Sequence, residues 1–231
     1  MFQRYAVYYT PAPESALAAF GAAWLGWDSA TGRAVAHPEA SVDIDAVTQT
    51  PRKYGFHGTI KPPFRLAKGT KEKMLDDALA TLCANAEPVT LAALKLAALG
   101  RFLALVPAGD VAALSALAAR VVQELDPFRA PLTKDELARR QSGHLSDAQQ
   151  AMLRRWGYPH VMDQFRFHMT LTGRLDAAAR EAVVEALVAP LTQLRLAPYT
   201  LSGLTLLGED RAGRFHQISR HRLGGAIPSR S

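Results

Sequence analysis

The stretch Lys53-Tyr54-Gly55-Phe56-His57-Gly58-Thr59-Ile60-Lys61 decides the fold, and a second stretch of the same design, Phe165-Arg166-Phe167-His168-Met169-Thr170-Leu171-Thr172, repeats its histidine 111 positions later. Apolar and polar residues alternate in both, which predicts strands with one face in a core and the other open to a ligand. The predicted open faces are Lys53, His57, Thr59 and Lys61 in the first stretch and Arg166, His168, Thr170 and Thr172 in the second. Imidazoles, hydroxyls and cations in one place suit the chemistry of a phosphate ester.

A third match to the histidine and hydroxyl spacing, His144-Leu145-Ser146, serves as an internal control, because so short a pattern also arises by chance. Gln149 follows Ser146 by three residues and a helical pattern comes after it. Ser146 is therefore predicted to be a helix N-cap, and this match is discarded.

The two remaining motifs open the same series of elements. A helical pattern follows each motif, and two apolar runs joined by a turn follow each helix. The predicted helices are 70–86 and 176–191, and the predicted strands are 89–99 and 102–106 in the first half and 199–207 and 215–219 in the second. The repeated order of strand, helix and hairpin predicts an internal duplication.

On these motifs the chain resembles the two-histidine (2H) phosphoesterase superfamily, which includes RNA ligase-like proteins and cyclic nucleotide phosphodiesterases. Residues 4–9, 54–59, 156–159 and 165–173 are similar to a bacterial branch encoded beside phosphonate-degradation genes. The resemblance implies an α+β fold of two pseudo-symmetric lobes, each an antiparallel sheet with helices outside, around a central cleft. It also implies that His57, Thr59, His168 and Thr170 are the catalytic residues.

Length and composition fit one two-lobed domain over residues 1–231. No run of about 18 uncharged apolar residues is present, and a strand-like segment follows the first residues without a signal-peptide pattern. Cytoplasmic residence is therefore expected. Cys83 is the one cysteine, so the chain has no internal disulfide.

The net charge of +6 favours an anionic partner. The positive residues are spread along the chain rather than gathered in a basic tract, which favours a small phosphorylated substrate over a polynucleotide. RNA remains an alternative partner. The oligomeric state stays open.

The segment 126–164 lies outside the duplicated pattern and is predicted to hold an inserted helical pair. Its first helix carries Arg139 and Arg140, whose planar guanidinium groups could reach a phosphate in the cleft. The alternative is a solvated face on which they pair with Asp135 or Glu136. The last residues, 224–231, are predicted to be a short frayed tail.

Three further residues are candidates for substrate binding. Lys61 and Arg166 lie close to the motif histidines and on the predicted open faces, although either could point to solvent at the rim. Tyr54 is the third candidate. Neither a metal nor a cofactor is expected, because the histidines have threonines and cations beside them instead of further metal ligands, and no phosphate-binding glycine loop is present.

These observations predict metal-independent hydrolysis of a cyclic phosphodiester of a small phosphorylated sugar or nucleotide. One neutral histidine would take a proton from water and the other, protonated, would give one to the leaving oxygen. The sequence leaves open which histidine has which role. The alternatives are an RNA 2',3'-cyclic phosphodiesterase or ligase-like enzyme, and a module that binds a phosphorylated ligand without turnover.

Overall fold

The computed structural model describes residues 2–141 and 144–224, which form the α+β structure that the sequence predicts. In this part of the chain the helices are α1 (Ala16–Leu25), α2 (Ile44–Arg52), α3 (Glu72–Ala84), α4 (Ala112–Glu124), α5 (Lys134–Gln141), α6 (Asp147–Trp156) and α7 (Ala177–Thr192). The strands are β1 (Arg4–Tyr9), β2 (Trp27–Asp28), β3 (Arg33–Ala34), β4 (Gly58–Phe64), β5 (Val89–Leu91), β6 (Ala93–Leu99), β7 (Phe102–Ala108), β8 (Met169–Thr170), β9 (Tyr199–Leu201), β10 (Gly203–Glu209) and β11 (Phe215–Arg222). Apart from Gly224, the predicted tail lies outside the described residues.

Seven strands form one continuous antiparallel sheet in the order β11-β10-β1-β4-β8-β7-β6. The sheet consists of two halves, β11-β10-β1-β4 and β8-β7-β6, which meet where β4 pairs with β8. That junction has one register pair, Gly58 opposite Met169. The two predicted lobes therefore share a sheet, and the two motif strands lie side by side at its centre.

Equivalent residues of the two sequence halves face each other in this structure. Gly58 and Met169 each follow the motif histidine, and they are paired with each other. Strands β5 and β9 also pair antiparallel, with Thr90 opposite Thr200, an offset of 110 positions against 111 for the histidines. Equivalent residues face each other in antiparallel strands when a two-fold axis relates the strands. The arrangement is the one that an internal duplication predicts.

The hairpin of each half belongs to the part of the sheet that contains the motif strand of the other half. The β6–β7 hairpin lies between the motifs in sequence but pairs with β8, whereas β10–β11 joins β4 through β1. Helix α3 of the first half likewise packs against β10 and β11. Alternation of residues indicates which face of a strand is buried but does not identify its neighbour, so the sequence did not predict this exchange.

The first motif strand is shorter than predicted. Strand β4 begins at Gly58 rather than near Lys53, and β8 is limited to Met169–Thr170. The residues before β4 turn at Gly55, whose φ of +70° lies in the left-handed region that glycine adopts without steric cost. This turn directs the Gly55 carbonyl towards the ring of His57.

A bulge in β4 changes which side chains face away from the core. Tyr8 of β1 pairs with Thr59 and Val7 pairs with Lys61, so one step along β1 matches two steps along β4. The additional residue, Ile60, puts the alternation out of phase. Ile60 and Lys61 both point to the apolar side of the sheet, and each is only 1% exposed.

Gly58 allows the two halves to approach closely. A Cβ atom at this position would lie 2.4 Å from two ring carbons of Phe167, which precedes the second motif histidine. The Phe167 ring therefore packs across the backbone of the first motif, where no larger residue than glycine fits without displacement. This contact fixes one motif relative to the other.

Residues 126–164 contain the two short helices that the sequence predicts. At the start of α5 the Glu136 amide donates to Thr133 Oγ1 at 3.2 Å, and the Thr133 amide donates to the Glu136 carboxylate at 2.8 Å. Ser146 and Gln149 make the same reciprocal pair at the start of α6. Both predicted helix starts are confirmed.

None of the helices within residues 2–141 and 144–224 combines the length and the apolar character that a bilayer-spanning helix needs.

Candidate active site

The two motifs are neighbours on one face of the sheet. The register at the β4–β8 junction, continued by one residue in each direction, places His57 opposite Thr170 and Thr59 opposite His168. The intervening Met169 is fully buried on the opposite face. The two histidines are thus diagonal neighbours, a relation that separates residues by about 7–8 Å. Imidazole tips at this separation can approach the same phosphate group.

A cleft of about 460 Å³ covers this face, a size typical of small-molecule sites. His57, Thr59 and Thr170 line it. His168 lies beside it, since its ring centroid is 5.7 Å from that of the lining residue Phe102. The charged lining residues are Arg4, Arg140 and Arg174, with no carboxylate among them. The cleft is therefore suited to an anion.

The environment of His57 keeps its imidazole neutral. Its Nδ1–H donates to the Gly55 carbonyl at 2.9 Å, because a carbonyl can only accept, and its Nε2 lies 3.1 Å from Thr59 Oγ1. Burial is the main reason that the pKa of His57 falls to about 4, and the charge of His168 lowers it further. A neutral imidazole with Nδ1 protonated leaves the Nε2 lone pair free to accept a proton.

His168 is held in the same way. Its Nδ1–H donates to the Arg166 carbonyl at 2.8 Å, again two residues before the histidine. Among the described residues its Nε2 has no hydrogen-bond partner, and neither does the hydroxyl of Thr170, which faces the cleft. Both atoms are free to bind a ligand.

Tyr8 is a site residue that the sequence did not indicate. Its ring stacks on His57, with centroids 3.9 Å apart and planes 22° apart, and it is 1% exposed. Tyr8 comes from β1, in which residues 5–9 are all buried, so no alternation distinguishes its two faces. Tyr8 is a site residue because it pairs with Thr59, and no sequence signal reveals this pairing, which is visible only in the structure.

Two of the predicted substrate-binding residues line the cleft. Tyr54 packs its ring on Phe215 at 5.2 Å and lies 5.9 Å from the His57 ring. Arg140 donates to the carbonyls of Gly157 and Pro63. Both remain candidates for binding substrate.

Arg139 and Arg166 do not line the cleft. Arg139 is exposed on α5, and its Nε donates to the carbonyl of Asp135 in the same helix. One residue along a helix is a rotation of about 100°, so Arg139 and Arg140 cannot face the same way. Arg166 is exposed and donates to carbonyls of its own loop, at Asp163 and Phe165. The structure thus places neither Arg139 nor Arg166 in the lining of the cleft, where the sequence analysis predicted them.

The predicted contact between Lys61 and substrate is corrected. The bulge turns Lys61 into the core, where its Nζ donates to the Val122 carbonyl at 3.0 Å and lies 3.6 Å from Asp126 Oδ1. Burial lowers the pKa of Lys61 to about 8, against the opposing effect of Asp126. Lys61 therefore connects β4 to α4 and the loop that follows it.

Replacing Lys61→Met is expected to leave kcat/KM within about threefold of wild type, because the ammonium does not reach the cleft. A cation bound to phosphate would cost roughly tenfold or more. Asp126 retains its 2.7 Å ion pair with Arg129, so the variant is expected to fold. Steady-state kinetics and thermal unfolding measure both effects, with Arg140→Met as the matched loss of a cation that does line the cleft.

Arg4, Tyr158 and Arg174 also line the cleft. Arg4 makes a two-pronged ion pair with Glu209, whose second contact is 2.6 Å long. The Tyr158 ring lies beneath the guanidinium of Arg140, 5.4 Å from its carbon to the ring centroid. Arg174 is exposed at the rim. Within residues 2–141 and 144–224, no group of three His, Cys, Asp or Glu side chains could hold a metal ion.

Comparison with known proteins identifies the family. Residues 59–216, more than half of the chain, match the family described as "Protein of unknown function (DUF1045)". The chain belongs to this family. The matched span of the DUF1045 protein includes Thr59 and the whole second motif.

Two curated relatives carry the name ribose 1,5-bisphosphate phosphokinase PhnN. The protein from Janthinobacterium sp. (strain Marseille) is 35% identical over 218 residues, which are 91% of this chain and 48% of that protein. The protein from Laribacter hongkongensis (strain HLHK9) is 35% identical over 219 residues, 94% of this chain and 51% of that protein. The chain therefore spans about half the length of these relatives.

Solved structures with a similar course of the chain include LigT of E. coli. LigT complexed with phosphate is 14% identical with a TM-score of 0.44, over 97% of this chain and 99% of that one. LigT complexed with 3'-AMP is 16% identical with a TM-score of 0.44, over 97% and 100%. The resemblance of the DUF1045 chain to the two-histidine phosphoesterases rests on its paired motifs and their shared sheet face rather than on these scores.

Proposed function

We propose that this DUF1045 protein is a metal-independent phosphoesterase that hydrolyses a cyclic phosphodiester of a small phosphorylated sugar or nucleotide. One observation carries the proposal: the two histidine and threonine pairs are cross-strand neighbours on one face of one sheet. A single phosphate in the cleft can contact both pairs, and the arginines along the walls favour its charge.

His57 is the general base in this proposal. Burial keeps its imidazole neutral, and the Gly55 carbonyl fixes the tautomer in which Nε2 can accept a proton. A water molecule attacks phosphorus and gives its proton to His57 Nε2. The Thr59 hydroxyl, which bonds that nitrogen in the free protein, then turns to a non-bridging oxygen of the phosphate.

His168 is the general acid. Its Nε2 has no protein partner among the described residues and is free to donate to a ligand, and its Nδ1 bond to the Arg166 carbonyl is more exposed than the corresponding bond of His57. As the ring bond between phosphorus and the sugar oxygen breaks, His168 donates a proton to that oxygen. The Thr170 hydroxyl donates to a second non-bridging oxygen, where negative charge develops. The product is a phosphate monoester.

The curated relatives support a sugar phosphate as substrate. Their shared name refers to the phosphorylation of ribose 1,5-bisphosphate. This chain covers about half of each relative and has no Gly-x-x-x-x-Gly-Lys-Ser/Thr loop, so we assign the phosphokinase activity to the other half. The half that matches this chain would then act on a related phosphorylated sugar in phosphonate metabolism.

The test is a panel of small cyclic phosphates and of RNA ending in a 2',3'-cyclic phosphate, each assayed with EDTA present. Turnover of a small cyclic phosphate supports the proposal. Turnover confined to the RNA would make the protein an RNA 2',3'-cyclic phosphodiesterase. Binding of a cyclic phosphate without turnover would make it a binding module. A rate that EDTA abolishes and zinc or manganese restores would overturn the metal-independent mechanism.

The pH dependence tests the base. A base must be neutral, and because the pKa of His57 is lowered to about 4, the acid limb of kcat/KM is expected near pH 4 rather than in the usual histidine range. Substrate charge raises this pKa in the complex, so the acid limb of kcat should lie at higher pH than that of kcat/KM. Rates from about pH 3.5 to 9 measure both limbs. An acid limb of kcat/KM at about pH 6.5 would exclude a buried neutral base.

A further inference from the structure

One cation in the cleft lacks a counterion. Arg140 extends from α5 to the cleft, and its guanidinium donates to two backbone carbonyls, at Gly157 and Pro63. Among the described residues it makes no ion pair with a carboxylate, since Glu136 on the same helix binds Arg65 instead. Carbonyl groups carry no formal charge, so Arg140 is half-buried without a directly bonded counterion, and Glu136 acts on its charge only from a distance. A buried charge of this kind is normally paired, which indicates an anionic ligand.

Three tyrosine hydroxyls lie in the same part of the cleft. Tyr8, Tyr54 and Tyr158 all line it, and within residues 2–141 and 144–224 none of their hydroxyls has a hydrogen-bond partner. The Tyr8 and Tyr54 rings both lie against the rings of His57 and Phe215, and the Tyr158 ring lies beneath the guanidinium of Arg140. Burial raises the pKa of Tyr8 and of Tyr158, so both hydroxyls remain protonated and can donate. The cluster thus offers several unused donors beside a cation.

The tyrosines are poorly placed to sandwich a nucleobase. Tyr8 has one face on the His57 ring, Tyr54 has one face on Phe215, and Tyr158 has one face under Arg140. A stacking platform for bases needs free aromatic faces. Together with Arg4 and Arg140, the three tyrosines offer hydroxyl and guanidinium donors, which suit a phosphate better than a nucleobase.

We propose that Arg140, Arg4, Tyr8, Tyr54 and Tyr158 form a second phosphate subsite next to the catalytic histidines. The substrate class is then a cyclic phosphodiester that carries a separate phosphate monoester on the same sugar. This inference rests on the proposed function, because it assigns the cyclic phosphate to the His57 and His168 motifs. The proposed subsite adjoins His57, since the centroids of the Tyr8 and Tyr54 rings are 3.9 and 5.9 Å from that of the His57 ring.

The test compares substrates that differ only in the monoester. The matched pair is a nucleoside 2',3'-cyclic phosphate with and without a 5'-phosphate. A ribose cyclic phosphate with a 5-phosphate and no base is the third substrate. We expect kcat/KM to rise roughly tenfold to hundredfold with the monoester, as charge-assisted hydrogen bonds allow. The substrate without a nucleobase should show the same high kcat/KM. If kcat/KM falls when the nucleobase is removed, the cluster recognises the nucleobase.

Variants identify the residues that cause the preference for the monoester. Arg140→Met is expected to abolish the preference for the monoester, because kcat/KM should fall far more for the substrate that carries the monoester than for its unphosphorylated partner. Arg139→Met removes the same charge from the adjacent position on α5, outside the cleft, and should leave the preference intact. Tyr158→Phe removes only a hydroxyl and should reduce the preference by several-fold, which keeps the proposal testable if Arg140→Met folds poorly.

Titration with inorganic phosphate separates the two proposals. If no cyclic phosphate is turned over but wild type binds phosphate and Arg140→Met binds it at least tenfold more weakly, the subsite stands and the proposed function fails. If cyclic phosphates are turned over without a preference that depends on Arg140, the function stands and the subsite is wrong. If neither turnover nor Arg140-dependent binding is found, both are wrong.

Discussion

His57→Ala is expected to lower kcat by roughly a hundredfold to ten-thousandfold on the cyclic substrate, because it removes the group that accepts the proton of the attacking water. Tyr8 under the ring and the Gly55 carbonyl at Nδ1 hold this imidazole in place. His57 is the one histidine among the described residues that line the cleft, so no second imidazole of the lining can replace it. KM should change far less than kcat, because in the proposed mechanism Thr59 and Thr170 still bind the phosphate.

The controls for this prediction use residues of the same chain. His144→Ala removes an exposed histidine that also precedes a hydroxyl residue by two positions, and it should leave kcat unchanged. His57→Gln retains most of the side-chain volume above Tyr8 and separates the loss of the base from a packing defect. Added imidazole should restore part of the activity of His57→Ala. A variant that keeps wild-type kcat while remaining folded would rule out His57 as the base.

The sequence is sufficient to identify the motifs, because the spacing of histidine and threonine in each motif equals the two-residue period of a strand. Spacing of two residues puts histidine and threonine on one face in any strand, and the duplicated order of elements relates the two copies to each other. The fold class and the helix starts at Thr133 and Ser146 depend on local signals of the same kind. These features are set by residues close together in sequence.

The features that the sequence did not reveal depend on partners far away in the chain. Lys61 leaves the cleft face because of a bulge that is defined only against β1. Tyr8 lies in a strand that is buried on both faces, and it becomes a site residue through its pairing with Thr59. Arg139 and Arg140 have the same chemistry, and only the orientation of α5 distinguishes them. Register and helix orientation are tertiary properties, so a single sequence cannot fix them.

The surroundings of the two motifs differ in a way that fits the different roles proposed for them. Both histidines bond a carbonyl two residues before them, so the local geometry of the two copies is equal. Their neighbours differ, since Tyr8 covers the first ring while the second lies beside Phe102 nearer to solvent. Burial favours the neutral form of the first imidazole. In the proposed mechanism, two strands with the same motif would thus supply one base and one acid.

His168→Ala is expected to reduce kcat on the cyclic substrate by roughly a hundredfold to ten-thousandfold as well, because the sugar oxygen then leaves without a proton. The double variant with His57→Ala should be little worse than either single variant, since the two groups act as one unit. A substrate whose leaving group needs no proton separates the roles, and bis-(p-nitrophenyl) phosphate is such a substrate because nitrophenolate is a stable anion.

On bis-(p-nitrophenyl) phosphate, His168→Ala should lose less than about tenfold, whereas His57→Ala should still lose roughly a hundredfold or more, because water must be deprotonated in either case. Thermal unfolding of both variants checks that the sheet junction at Gly58 and Met169 is intact. If the nitrophenyl substrate rescues His57→Ala instead of His168→Ala, the acid and the base are exchanged. If it rescues neither, the departure of the leaving group is not assisted by a proton from His168.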